Sequence, residues 1–251
     1  MEKYQIEICT NSVESCLAAQ EGGANRVELC AGIPEGGTTP SYGEIAIARE
    51  VLVHTRLHVI LRPRGGDFLY SDIEIRTMLK DIEIARKLGA DGIVFGCLTA
   101  DGEVDLTSMQ ILMEASKGLS VTFHRAFDVC RNPQKALEEI IELGCNRILT
   151  SGQQPTAEQG IGLLKELQGL AAGRITLLAG CGVNENNIAR IAAETGINEF
   201  HFSARESIQS EMKFRNEVVS MGGTVHINEY ERNVTSVRRV KETVEALYKG
   251  M

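Results

Sequence analysis

The sequence predicts an α/β fold of one architecture, a TIM-type (β/α)8 barrel, formed as a single domain over residues 1–251. Three observations carry this reading. Strand-like and helix-like runs alternate eight times, a pattern that demands parallel strands with right-handed crossovers. A chain of 251 residues matches the size at which such units close as one barrel. A helix-to-strand junction also recurs: GGANRVELC at 22–30, LGADGIVFG at 88–96, LGCNRILTSG at 143–152 and TGINEFHFS at 195–203. Glycine there suits the left-handed cap just past a helix end. An open doubly wound sheet more often shows a glycine-rich dinucleotide turn after its first strand, and CTNSVES has none.

In chain order, the first strand is expected over 4–9 and a helix over 12–21. RVELC supplies the second strand and 41–53 the second helix; LHVILR, 57–62, is the third strand. Residues 71–88, SDIEIRTMLKDIEIARKL, show 3.6-residue apolar spacing, with Ser71 or Asp72 as N-cap. GIVFG is the fourth strand; then come a helix over 105–117, the strand 119–124 and a helix over 133–143. RILTSG, a helix over 156–171, the strand 174–179, a helix over 184–194 and EFHFS complete the eight units. Residues 204–230 fit the repeat least well. An extra helix is expected near 205–221, His226 and Glu229 are not placed, and a final helix is expected over 231–249.

The polar residues of the strands are less ordinary than the strands themselves. IEIC at 6–9 and RVELCA at 26–31 each set a carboxylate and a thiol two residues apart among aliphatics. Side chains alternate along a strand, so Glu7 and Cys9 share one face and Glu28 and Cys30 share another. In a barrel the outward face packs on helices and must be apolar, which turns these residues inward. The same alternation sends Val27, Leu29, Leu57, Val59, Leu61, Val121, Phe123, Phe200 and Phe202 outward. It leaves His58, Ile60, Arg62, Thr122, His124, His201 and Ser203 inside. Titratable groups contributed by five strands to one end of a barrel point to ligand binding or chemistry; the alternative is a structural network in which buried polar groups satisfy one another, Glu28 with Arg62 for example.

Several loop motifs belong to the same end. RPRGGDF at 62–68 brings Arg62 inward and puts Arg64 on the loop, where a guanidinium suits a carboxylate or phosphate, a solvated loop arginine being the other reading of Arg64. FHRAFD at 123–128 carries His124, Arg125 and Asp128, with His124 fit for acid/base work or metal ligation. Ser151 and Gly152 in LTSGQQP, Gly180 and Gly182 in LAGCGVNENNI, and Ser203 in HFSAR form an expected anion site with Arg64, since exposed amides at helix starts bind anions and loops near strands seven and eight of barrels often hold phosphate. Cys9 and Cys30 lie on adjacent strands about 4.8 Å apart, so the two thiols can reach one soft metal, Cu(I) or Zn; small buried core cysteines are the alternative.

Composition narrows the partners. With 26 basic and 34 acidic residues the net charge is −8, which gives no general attraction to nucleic acid or an anionic membrane. Any anionic ligand needs a local basic pocket. Seven cysteines, scattered and without a CxxC pair, argue for reduced thiols in a cytoplasmic protein. MEKYQIEIC has no signal-peptide character, and no membrane span is visible.

EIC near the start, RVELC, GGTTPSYG, RPRGGDF, GADGIVFG, TFHRAFD, RILTSG and HFSAR, in that order along nearly the whole chain, resemble the CutC copper-homeostasis family. The resemblance implies a cytosolic (β/α)8 barrel, a homo-oligomer (dimer or tetramer), and a role in copper tolerance or Cu(I) handling with Cys9 and Cys30 as ligands. The residues support a second reading: a barrel enzyme for a small anionic or phosphorylated metabolite. There Glu28 or Glu7 would be the base, His124 the acid, Arg62 the clamp, His201 a further ionisable partner, and the Gly180–Gly182 loop the anion cradle. A purely structural module is the least expected of the three.

Overall fold

A computed structural model describes residues 3–222 and 227–249. Eight parallel strands close into a barrel: β1 (Gln5–Thr10), β2 (Arg26–Leu29), β3 (Arg56–Ile60), β4 (Gly92–Phe95), β5 (Ser120–Phe123), β6 (Arg147–Thr150), β7 (Thr176–Gly180) and β8 (Glu199–Phe202). Each pairs with its sequence neighbour, and β1 returns to β8 with Glu7 opposite His201. The helices α1 (Val13–Glu21), α2 (Tyr42–Val51), α3 (Asp72–Lys87), α4 (Leu106–Ala115), α5 (Pro133–Glu142), α6 (Ile161–Ala171), α7 (Ile188–Thr195) and α8 (Val237–Lys249) alternate with them.

Local chemistry fixes the helix starts. Ser41 and Ser71 each accept a hydrogen bond from the backbone N–H three residues on, while Glu44 and Glu74 reach back to the capping residue, so both helices open on complete capping boxes. Asp105 and Asn132 cap α4 and α5 in the same way with a single side chain. Two starts differ from expectation. Residues 156–160 form turns before α6, and the Asn-rich stretch 184–187 is spent on side-chain-to-backbone bonds before α7 begins.

The side chains predicted to face outward all lie in the large apolar layer between strands and helices. Cys30, Ile60 and Val94, with Cys9 and Ile33 against them, form a separate small cluster inside the barrel. Strand registers therefore match the alternation read from the sequence.

The segment after β8 departs from the sequence reading. Residues 205–209 form a strand, β9 (Arg205–Gln209), which pairs antiparallel with β10 (Glu231–Thr235). No helix occupies 205–221, and α8 starts at Val237 rather than at 231. RESIQ and ERNVT satisfy each other's backbone groups across an intervening excursion, a long-range pairing that local helix spacing cannot reveal. Glu229 accepts from the backbone N–H of Met221 at 2.6 Å within that excursion, and His226 lies outside the described residues. No helix among the described residues is long and apolar enough to cross a membrane.

Candidate functional site

The interior is built in two tiers. The lower tier is an ionic hub that the sequence reading only half anticipated. The buried guanidinium of Arg26 donates Nε–H to Glu7 and Nη2–H to Glu199 at 2.7 Å; Arg147 donates to the same Glu199 oxygen at 2.9 Å. Glu7 is fully buried, and His58 Nδ1 lies 3.9 Å from its carboxylate. Burial opposes ionisation of Glu7, but Arg26, His201 and His58 overcome it and hold the carboxyl far below the usual range. Arg26, Arg147 and Glu199 were legible by the alternation that put Glu28 and His201 inside, carried one pleat further down.

The upper tier is a cavity of about 510 Å³ at the C-terminal end of the strands, where barrel sites lie. Cys9, Glu28, Cys30, Arg62, His124, Gly182, His201 and Ser203 line it. Glu7 sits beneath its floor and acts on it through His201, whose Nδ1 is 2.8 Å from Glu7 Oε1. On the other side of the ring, His201 Nε2 is 3.6 Å from Glu28 Oε2. Glu28 thus faces His201 rather than Arg62.

The two thiols meet: Cys9 Sγ is 3.9 Å from Cys30 Sγ, and Arg205 Nη2 donates to Cys9 Sγ at 3.5 Å. The hydrogen bond from Cys30 outweighs burial and, with His201 and Arg205, holds the Cys9 thiol well below its ordinary value. The same contact, together with burial, raises Cys30 well above its own. Burial pushes Glu28 up to about 8. Burial also works against charge on His201, but bonds to Cys9 and Glu7 and the two glutamate charges raise its pKa well above the usual histidine range. On this floor burial and contacts favour charge on Cys9 and His201 and oppose it on Glu28.

Interior glycines make room for the rings. A Cβ on Gly92 would lie 2.4 Å from His58 Nε2, and one on Gly96 would lie 2.8 Å from His124 Nδ1. Gly96→Ala is expected to displace His124 and cost about 1–3 kcal/mol, as overpacked core sites do. Urea unfolding measures it, and unchanged stability would show that the ring can move freely.

Not every expected anion-site residue reaches the cavity. Arg64 turns away: its guanidinium bonds Glu74 at 2.6 Å and Asp67 at 2.9 Å. Gly180 leaves space for Leu149 and His201 rather than for a ligand, since an added Cβ would lie 2.6 Å from Leu149 Cδ1. Ser151 and Gly152 do form a nest of donors, but the protein's own Asp128 fills it. Its carboxylate accepts from Thr150 Oγ1 at 2.6 Å, Ser151 N at 3.0 Å, Ser151 Oγ at 3.0 Å and Gln153 N at 3.2 Å. Gly152 N goes to Thr150 Oγ1. Arg62, expected as a clamp, spends three bonds on the carbonyls of Glu35, Gly37 and Gly66 and stacks on Phe68, 5.0 Å from the ring centre. Ile33 and Val129 also line the cavity and carried no motif that would have found them, while Cys181 and Val183 line it from within the LAGCGVNENNI loop without having been singled out.

The fold is a closed (β/α)8 barrel whose mouth cavity has two thiols on its floor and arginines in its lining. The model of the CutC family matches residues 4–206. A CutC family protein of Bacteroides thetaiotaomicron is 78% identical over 247 residues, covering 98% of this chain and 99% of that protein. The copper homeostasis protein cutC homolog of Homo sapiens is 46% identical over 248 residues, covering 99% and 90%. A crystal structure of CutC from Streptococcus agalactiae superposes with a TM-score of 0.77 at 35% identity, over 80% of this chain and 98% of that one. A thiamine phosphate pyrophosphorylase from Pyrococcus furiosus, 16% identical with a TM-score of 0.61 over 99% and 98%, shares the fold alone. The chain belongs to the CutC family.

Proposed function

We propose that this chain is a cytoplasmic copper-homeostasis protein that binds Cu(I) as cargo through Cys9 and Cys30. The approach of the two sulfurs to 3.9 Å at the cavity floor carries the reading. Metal–thiolate bonds of about 2.3 Å reach both sulfurs from one point, and Glu28 lies with them in a group whose donor atoms are within 4.8 Å of one another. Two thiolates select a soft cation such as Cu(I) over hard ones. The Cys9 thiol is held well below its ordinary range, so binding has chiefly the Cys30 proton to displace, and solvent carries it off. His201, anchored by Glu7, positions this floor rather than serving as a first ligand. The name borne by the human relative supports a copper role, and the free state of all seven cysteines supports a reducing compartment. Assembly as a homo-oligomer, dimer or tetramer, belongs to the same reading; exposed Phe214, Val218 and Met221 on the excursion after β9 offer apolar contact area.

An anaerobic Cu(I) titration against a competing chelator tests the proposal. The parent is expected to take up one Cu(I) per chain. Cys9→Ser/Cys30→Ser is expected to bind at least about 100-fold more weakly, since even outer-shell changes cost 10–100-fold in metal affinity. Equal binding by the double variant would end the reading.

A further inference from the structure

We propose that the mouth cavity is also a binding site for a small organic carboxylate, held by Arg205 near the Arg62 charge and against an apolar wall, with or without copper on the thiols. The inference does not rest on the copper reading. A cavity of about 510 Å³ is far larger than one metal ion needs and falls in the range of small-molecule sites.

Its charge is the first argument. The chain carries a net charge of −8, yet three arginines, Arg62, Arg125 and Arg205, converge on this cavity. Arg125 is neutralised by Asp128 at 2.7 Å. Arg62, which is 5% exposed, bonds only backbone carbonyls, and Arg205 bonds a thiol; neither has a carboxylate partner among the described residues. The buried Arg62 guanidinium, withdrawn from water, is costly without a counter-charge, which an anionic ligand supplies.

Unused donors are the second argument. Arg205 Nε and His124 Nε2 are buried without a hydrogen-bond partner. His124 Nδ1 accepts from Ala126 N, so the proton resides on Nε2 and that atom is a donor. Two orphan donors beside one cavity call for an acceptor-rich ligand. Ile33, Ile60, Phe68 and Val183 give it an apolar wall.

The third argument selects carboxylate over phosphate. The nest at residues 150–153, which suits a phosphate, is filled by Asp128, and the amides of Asn184 and Asn186 are taken by the side chains of Asn187 and Asn184. With those two backbone nests closed to a phosphate, Arg205 and the uncommitted N–H groups of Arg62 remain, and a guanidinium pairs with a planar carboxylate without needing such a nest.

The test uses the full chain, reduced and metal-free. Acetate, butyrate, phenylacetate and succinate, with inorganic phosphate as comparison, are titrated by ligand-observed NMR and by the shift in Tm. Butyrate or phenylacetate is expected to bind saturably and more tightly than phosphate. Arg205→Met should weaken that binding at least about tenfold, as loss of a charged hydrogen-bond partner does. Arg205→Lys should recover part of it. Val129→Trp, at the exposed rim, should block entry without touching a charge, and Arg64→Met should bind as the parent does. Cys30→Ser, which leaves the contact between Cys9 and Arg205 in place, is expected to keep carboxylate binding while weakening Cu(I) binding, so the two readings can fail separately. No saturable carboxylate binding, tighter binding of phosphate, or parent-like binding by both Arg205→Met and Val129→Trp would overturn the proposal.

Discussion

Glu7→Ala is expected to destabilise the folded chain by about 3–5 kcal/mol, the loss typical of breaking a buried ion pair from one side. The carboxylate is wholly buried, accepts from Arg26, bonds His201 at 2.8 Å and faces His58. Removing it leaves Arg26 with Glu199 alone and strips His201 of the partner that fixes its ring. Glu7→Gln keeps the shape and one acceptor, so a smaller loss is expected. The chain has no tryptophan, so urea unfolding is best followed by far-ultraviolet circular dichroism. The alanine variant should also hold Cu(I) more weakly although residue 7 does not line the cavity, because the floor is positioned through His201. A loss below about 1 kcal/mol would mean that the hub is not the foundation of the site.

Acid should unfold the protein earlier than its surface charge implies. Burial pushes both His58 and His124 down to about 3, so the folded chain keeps them neutral where the unfolded chain, near 6.5, takes up protons. Stability is then fully present above pH 6.5 and is lost as pH falls, by roughly 1.4 kcal/mol per unit for each ring. Cys9 and Glu7, both depressed, lose stability in the same direction. Glu28 opposes them: raised to about 8 from 4.5, it is protonated in the fold across that window, so its contribution grows as pH falls from 8 to 4.5 and then stops growing. The decline should begin below pH 6.5 and steepen below 4.5. Unfolding free energies at several pH values for the parent and His124→Gln test this. The variant's slope between pH 6.5 and 3 should be smaller by roughly 1.4 kcal/mol per unit, from the single histidine removed. Parallel curves would show that His124 is not held neutral.

The strand order and the facing of each polar side chain could be read from the sequence because period-2 alternation in buried strands leaves few registers open. Val27, Leu29, Val121 and Phe123 fixed which face was outward, and Glu28, Cys30, Thr122 and His124 followed. Alternation alone does not bring Cys9 to Cys30, since barrel stagger can separate neighbouring strand ends. Cys9 is opposite Glu28 in register, which brings Cys30 one pleat above it and still within 3.9 Å. The hub was harder to see because Arg26 and Arg147 stand at strand starts, where a charged residue reads as solvent-facing. The loops were harder still. Nothing local marks Asp128 as the anion that fills the nest at Ser151, or Arg64 as a partner of Glu74 rather than of a ligand. The hairpin of β9 and β10 was misread as helix because its partner strand lies beyond an excursion of about 20 residues, outside the reach of any local pattern.

X-ray absorption at the copper edge of the Cu(I)-loaded protein addresses the paired-thiol claim most directly. Two sulfur neighbours are expected in the parent, and one in each of Cys9→Ser and Cys30→Ser. A first shell of nitrogen and oxygen alone, or a parent spectrum that survives the loss of either cysteine, would contradict it.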